Sequence, residues 1–216
     1  MTAYSANSTP SFISPSVTVE DLYLDSPLRL GVLASGSGSN FEAIAQAIQS
    51  GQLNATIPVL IYNKPKAKVT ERAKRFDVPA ILHNHRAYQT REALDEQIVD
   101  TLKSYRVDWV IMAGWMRIVT PVLLNAFPHR VLNIHPSLLP SFPGIHGIEQ
   151  ALNAGVKVTG CTVHLAQEKV DSGPIIMQAA VPILPDDTPD SLHQRVQVQE
   201  HQIFPQAIAL AAKGFW

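Results

Sequence analysis

Asn133 and His135 stand two residues apart in the run Val131-Leu132-Asn133-Ile134-His135-Pro136-Ser137-Leu138-Leu139-Pro140. In an extended chain residues at that spacing project to the same side. An amide N–H and an imidazolium N–H aimed at one point make an oxyanion site, which stabilises charge developing on a carbonyl oxygen during acyl transfer. Pro136, Pro140 and Pro143 then fix an extended loop able to wall a cleft. The plainer alternative is a strand end whose polar residues cap neighbouring loops. Asp171 follows later, in Gln167-Glu168-Lys169-Val170-Asp171-Ser172-Gly173-Pro174, where an ordinary turn explains both the aspartate and the glycine. Folded back beside His135, its carboxylate would favour the charged imidazole or relay the proton that an attacking nucleophile must shed.

A second constellation is Ala34-Ser35-Gly36-Ser37-Gly38-Ser39-Asn40-Phe41, a glycine-rich turn between an apolar run and a helical pattern. Such a turn brings backbone N–H groups close to an anion, and the helix N-terminus adds unpaired donors and partial positive charge. A phosphate would fit there. A dinucleotide fingerprint needs a third glycine where Phe41 stands and an acidic residue where Tyr62-Asn63 is found. A Walker loop needs a lysine that is missing. The ligand-free alternative is a tight strand-to-helix turn capped by Ser39 or Asn40.

The elements that must position these residues alternate between short β-branched runs and longer amphipathic ones, the signature of an α/β chain with an open, mostly parallel sheet and helices on both faces. The runs predict strands at Leu28–Ala34, Ile57–Tyr62, Ala80–Leu82, Asp108–Met112, Val131–His135, Val158–Leu165 and Ile175–Val181. They predict helices at Asn40–Gln49, Ala67–Phe76, Thr90–Tyr105, Thr120–Ala126 and Asp190–Ala212, with Pro205 kinking the last. Asn133 and His135 then fall at the carboxyl end of a strand, where open α/β sheets bind ligands.

With 216 residues and 46% hydrophobic composition, one domain with one substantial core is expected. Seventeen basic and eighteen acidic side chains leave a net charge of -1, so no long-range field favours nucleic acid or an anionic membrane. Cys161 is the only cysteine, which excludes an internal disulfide and multi-cysteine zinc sites and fits a reducing compartment, hence the cytoplasm. Residues 1–27 are rich in Ser, Thr and Pro, match neither secretory nor transit signals, and read as a flexible tail. No apolar run has membrane-spanning length. The histidines show no metal-ligand spacing, and His164, among apolar residues, reads as the anchor of a hydrogen-bond network.

Taken in order, the three segments resemble the glycinamide ribonucleotide formyltransferase family from about Leu28 to the end of the last helix. The block Asn133 to Pro140 resembles the signature of folate-dependent formyltransferases in general, and Gly36-Ser37-Gly38-Ser39-Asn40 narrows it to the ribonucleotide branch. The resemblance implies a Rossmann-like formyltransferase fold over residues 28–216. It implies transfer of a formyl group from 10-formyltetrahydrofolate, a co-substrate, to the amine of phosphoribosylglycinamide, with no tightly bound cofactor and no metal. By position it implies Asn133, His135 and Asp171 as the catalytic trio, and Gly38, Ser39, Asn40, Gln197 and Glu200 on the ribonucleotide. For the folate it implies Arg91, Met116, Arg117, Ile118, Val119, Asn133, Gln167, Val170 and Asp171. The partners are then small molecules, and the protein a monomer or homodimer. The rivals are another folate-dependent formyltransferase, a formyl-folate hydrolase, or a folate- or nucleotide-binding module without turnover.

Overall fold

A computed structural model describes residues 12–215. In chain order the elements are β1 (Phe12–Ser14), α1 (Val19–Leu22), β2 (Leu28–Ala34), α2 (Ser39–Gln49), β3 (Ala55–Tyr62), α3 (Val69–Arg75), β4 (Ala80–Leu82) and α4 (Arg91–Ser104). They continue with β5 (Trp109–Met112), α5 (Pro121–Ala126), β6 (Val131–His135), α6 (Gly147–Ala154), β7 (Val158–Leu165), β8 (Ile175–Pro182) and α7 (Pro189–Ala212).

Among the described residues the strands form one eight-stranded sheet in the order β1-β8-β7-β6-β5-β2-β3-β4. From β4 to β6 the pairing is parallel. From β6 through β7 and β8 to β1 it is antiparallel, so the sheet is mixed and its parallel character ends at β6. Between β7 and β8 the reason is connection length: only the loop 166–174 joins them, too short for the crossover that parallel neighbours require.

The central strands are buried on both faces, and alternate residues feed two cores. Val32, Ala34 and Leu60 meet Phe41, Ile44, Ile203 and Phe204 from α2 and α7. Leu33, Val59 and Ile61 meet Leu94, Ile98, Leu102 and Leu123 from α4 and α5 on the opposite face. Helix α7 runs on through Pro205, which is itself buried. Thr188 opens that helix with a capping box closed by Ser191.

Two expectations need correction. Residues 1–11 lie outside the described residues, but from Phe12 the supposed tail is built into the fold. Phe12, Ile13 and Ser14 pair with Ala180, Ala179 and Gln178. Ile13, Val17 and Leu22 pack on the first core and Leu24 belongs to it. Lys213 Nζ fastens the carbonyls of Glu20 and Asp21, and Asn54 Nδ2 that of Leu24. Ser/Thr/Pro-rich composition masked four apolar anchors. The second correction is α6, where the letters predicted no helix. Its buried Ile148 and Ala151 have helical spacing, but the helix opens at His146 with φ of 64° and no side-chain cap.

Candidate active site

The face of the sheet that α4 and α5 cover over β2 and β5 changes character at β6 and β7. Asn133 lies opposite His164 and His135 opposite Thr162 in the antiparallel pairing, which sets four polar side chains together on that face. His135, Thr162 and His164 are buried. The loops after β6 and β7 supply the remaining groups.

Asp171 comes from the β7–β8 loop with φ of 52°, an uncommon backbone for an aspartate. Its Oδ2 lies 3.4 Å from His135 Nδ1 and accepts the Gly144 N–H at 2.7 Å. Its Oδ1 lies 3.6 Å from His164 Nε2. Burial by itself pushes this carboxyl up, but the His164 ring, the Gly144 N–H and the charge of the two imidazoles together outweigh it and hold it below the ordinary aspartate value. Asp171 is therefore the anion of the cluster.

His135 has acceptors at both ring nitrogens: the Asp171 carboxylate at Nδ1 and the Phe142 carbonyl, 2.8 Å away, at Nε2. A ring protonated at both nitrogens would donate to each. Asn133 Nδ2 lies 3.1 Å from His164 Nε2, while His164 Nδ1 lies 3.0 Å from the Leu165 carbonyl. His164 therefore stands between the Leu165 carbonyl and the Asn133 amide, with the Asp171 carboxylate also beside its Nε2. The geometry thus amends a simple picture of two free donors: both trio donors already hold protein partners.

At the end of β2 the chain turns through Gly38, whose φ of 78° suits glycine and where an added Cβ would collide with Val69. Arg72 Nε donates to the Ser37 carbonyl, and Ser35 Oγ accepts the Met116 N–H, so the turn is braced from α3 and from the chain after β5. The first turn of α2 meets α7 through two side-chain pairs: Gln197 Nε2 donates to Ser39 Oγ at 3.0 Å, and Asn40 Nδ2 to Glu200 Oε2 at 3.0 Å. All five residues proposed on the ribonucleotide side are brought together. Asn40 Oδ1 is buried with no protein partner. Burial pushes the Glu200 carboxyl up, with the Asn40 hydrogen bond and the charge of His193 opposing it incompletely.

On the folate side, Arg91 and Arg117 line one cavity of about 450 Å³ with His85, Tyr88 and Glu92. Met116, Ile118 and Val170 are exposed apolar side chains, and Gln167 is exposed. Val119 is different: its side chain is in the core against α5, leaving only its backbone for a ligand. Among the described residues no group of three or more His, Cys, Asp or Glu side chains could hold a metal ion, and no helix is long and apolar enough to cross a membrane.

Residues 28–208 match the model of the formyl transferase family. The chain belongs to that family. It is 42% identical over 180 residues to phosphoribosylglycinamide formyltransferase of Bacillus subtilis, covering 83% of this chain and 92% of that one. It is 44% identical over 188 residues to the trifunctional purine biosynthetic protein adenosine-3 of Drosophila melanogaster, covering 86% of this chain. The chain spans 14% of the length of that fly protein. Among solved structures, glycinamide ribonucleotide transformylase 1 of Symbiobacterium toebii superposes with a TM-score of 0.86 at 47% identity, covering 88% of this chain and 90% of that one. The match starts at Leu28, so β1 and α1 lie before the family segment.

Within this formyl transferase chain, the letters gave no sign of the backbone groups that Phe142 and Gly144 bring to His135 and Asp171. Backbone contacts carry no residue signature. His164 was legible as a network anchor from its place in an apolar strand, but its partners were not.

Proposed function

We propose that this chain transfers the formyl group of 10-formyltetrahydrofolate to the amine of phosphoribosylglycinamide in purine synthesis. The observation that carries the reading is Asp171 beside His135, on a sheet face shared with Asn133 and His164. The acceptor is argued from the pairing of Ser39 and Asn40 with Gln197 and Glu200 at the N-terminus of α2, where helix donors favour a phosphate and side-chain amides and a carboxyl suit a sugar. The relatives' names point the same way.

The neutral amine attacks the formyl carbon, and the carbonyl electron pair moves onto oxygen. Asn133 offers an amide hydrogen, and His135 supplies positive charge and shares its Nε2–H between Phe142 and the oxyanion. Collapse breaks the bond from that carbon to N10 of the folate, which receives the proton released by the amine. Asp171 holds the imidazolium and, through water, helps carry that proton. Arg91 and Arg117 attract the folate's carboxylates. Met116, Ile118 and Val170 offer apolar surface to its ring, and Val119, Gln167, Val170 and Asp171 offer backbone. Residues 28–216 form the catalytic unit, working in the cytoplasm as a monomer or homodimer on small molecules alone, with no metal.

Folate product is followed by absorbance with the ribonucleotide present or omitted. Acceptor-dependent turnover that falls at least a hundredfold in His135→Ala supports the reading. Folate consumption without acceptor makes the chain a hydrolase, and binding without turnover makes it a module.

A further inference from the structure

Gln150 touches no side chain of the proposed trio, yet its amide spans the loop that does. From the first turns of α6 its Nε2 donates to the carbonyls of Pro143 at 3.1 Å and Ile145 at 2.8 Å. Those two carbonyls bracket Gly144, whose N–H lies on Asp171 Oδ2. Two residues earlier, the Phe142 carbonyl lies on His135 Nε2. One side chain thus grips the stretch of backbone that addresses both members of the ion pair.

The loop would not keep this shape by local preference. Phe142, Gly144 and His146 all have positive φ, at 56°, 82° and 64°, and side chains other than glycine rarely adopt that region. Such conformations persist where surrounding contacts over-determine them. Packing does not supply those contacts, because Pro143 and Ile145 are exposed. Hydrogen bonds do. Ser137, fully buried, donates to the Ser141 carbonyl at 2.5 Å, with the Phe142 carbonyl next nearest, and Gln150 holds the following residues. Gly147 completes the fit: a Cβ there would stand 3.2 Å from the Pro136 carbonyl and 3.4 Å from His135 Nε2.

We propose that Gln150 is a positioning residue for formyl transfer, fixing the Gly144 N–H on Asp171 and the Phe142 carbonyl on His135. This rests on the trio proposed above. The position calls for an amide, because both atoms it faces are acceptors. Glutamate has the same shape but repels both carbonyls, and methionine fills the space without an N–H.

The groups facing the Asp171 carboxylate are His135 from β6, His164 from β7 and the Gly144 N–H from the loop before α6. Freeing Gly144 removes one of the three and leaves both imidazoles, so Asp171 then protonates at higher pH.

The test measures kcat and KM of formyl transfer against pH for Gln150→Met, Gln150→Glu and, as reference, His135→Ala. Both Gln150 variants should lose about tenfold in kcat, keep the KM for the ribonucleotide, and show the acid limb of kcat/KM moved upward by about one pH unit. In the unmodified protein the Gly144 amide proton should resist exchange and shift as Asp171 titrates, a measurement independent of whether a variant folds. Wild-type kcat in Gln150→Met, a loss uniform in pH, or a freely exchanging Gly144 amide overturns the proposal. If His135→Ala loses turnover while Gln150→Met does not, Gln150 alone is misassigned. If His135→Ala turns over normally, the trio and this role fall together.

Discussion

Asp171 Oδ2 stands 3.4 Å from Nδ1 of His135, although the aspartate belongs to the loop joining two antiparallel strands and the histidine ends a parallel one. The sheet changes direction between them. The antiparallel half lets the β7–β8 loop fold back over the polar face of β6, so the change in strand direction builds the ion pair.

Replacing the charge without the shape tests that pair. Asp171→Asn should fold normally and lose about a hundredfold or more in kcat, because a neutral amide no longer supports the imidazolium. Steady-state rates beside a circular-dichroism spectrum decide it. A variant within threefold of wild type would remove Asp171 from the mechanism.

The ribonucleotide pocket predicts a different kinetic signature. Gln197→Ala and Asn40→Ala should each raise the KM for the ribonucleotide about tenfold or more, with little change in the KM for the folate, since a lost hydrogen bond to a charged ligand is worth roughly 1.5–3 kcal/mol. Equal effects on both substrates would contradict the division of the site.

Asp171 and Glu200 should shift stability with pH in opposite directions. The Asp171 carboxyl is held below its unfolded value, so its stabilising contribution is present above the ordinary aspartate range and lost as pH falls through the depressed value. The Glu200 carboxyl is raised, so its contribution is present below the ordinary glutamate range and lost as pH rises through the raised value. In melting curves against pH, Glu200→Gln should therefore gain on wild type as the solution becomes less acidic, while the deficit of Asp171→Asn should shrink toward acid. Parallel curves for all three proteins would refute the assignment.

Cys161 should be chemically silent. Its side chain is fully buried, and burial, with the nearby Glu200 charge, pushes the thiol well above its ordinary value. Prolonged iodoacetamide treatment of the folded protein should leave formyl transfer intact, with no mass added at this residue. Rapid labelling with parallel inactivation would implicate a covalent step.

Removing residues 1–24 should cost about 3 kcal/mol, seen as a melting temperature lower by several degrees, because it strips four apolar anchors from the first core. An unchanged melting curve would return the segment to the status of a tail.

Much of this architecture could be read from letters. Leu28–Ala34, Ala80–Leu82, Val131–His135 and Val158–Leu165 are strands with the expected bounds, because β-branched runs between turn signals constrain them locally. Strand direction depends on what lies between strands, and the loop after β7 looked like any other turn. The N-terminal strand failed for a related reason: it forms only because the edge of β8 is there to pair with it. At the site, spacing placed Asn133 and His135 on one face, whereas Gln197 with Ser39 and Glu200 with Asn40 needed family resemblance to suggest and a tertiary fold to show. Gln150 left no trace at all, because its partners are carbonyl groups that every residue possesses.

Among the described residues the sheet ends on both rims in strands of three residues, β1 and β4. β1 covers the backbone of Gln178, Ala179 and Ala180 in the middle of β8, so a neighbouring molecule cannot zip along that strand without interruption, and at high concentration this chain should resist fibril-like stacking. Without the first strand the longer β8 would become the rim, a template of eight residues, and the truncated protein should precipitate where the parent stays dispersed.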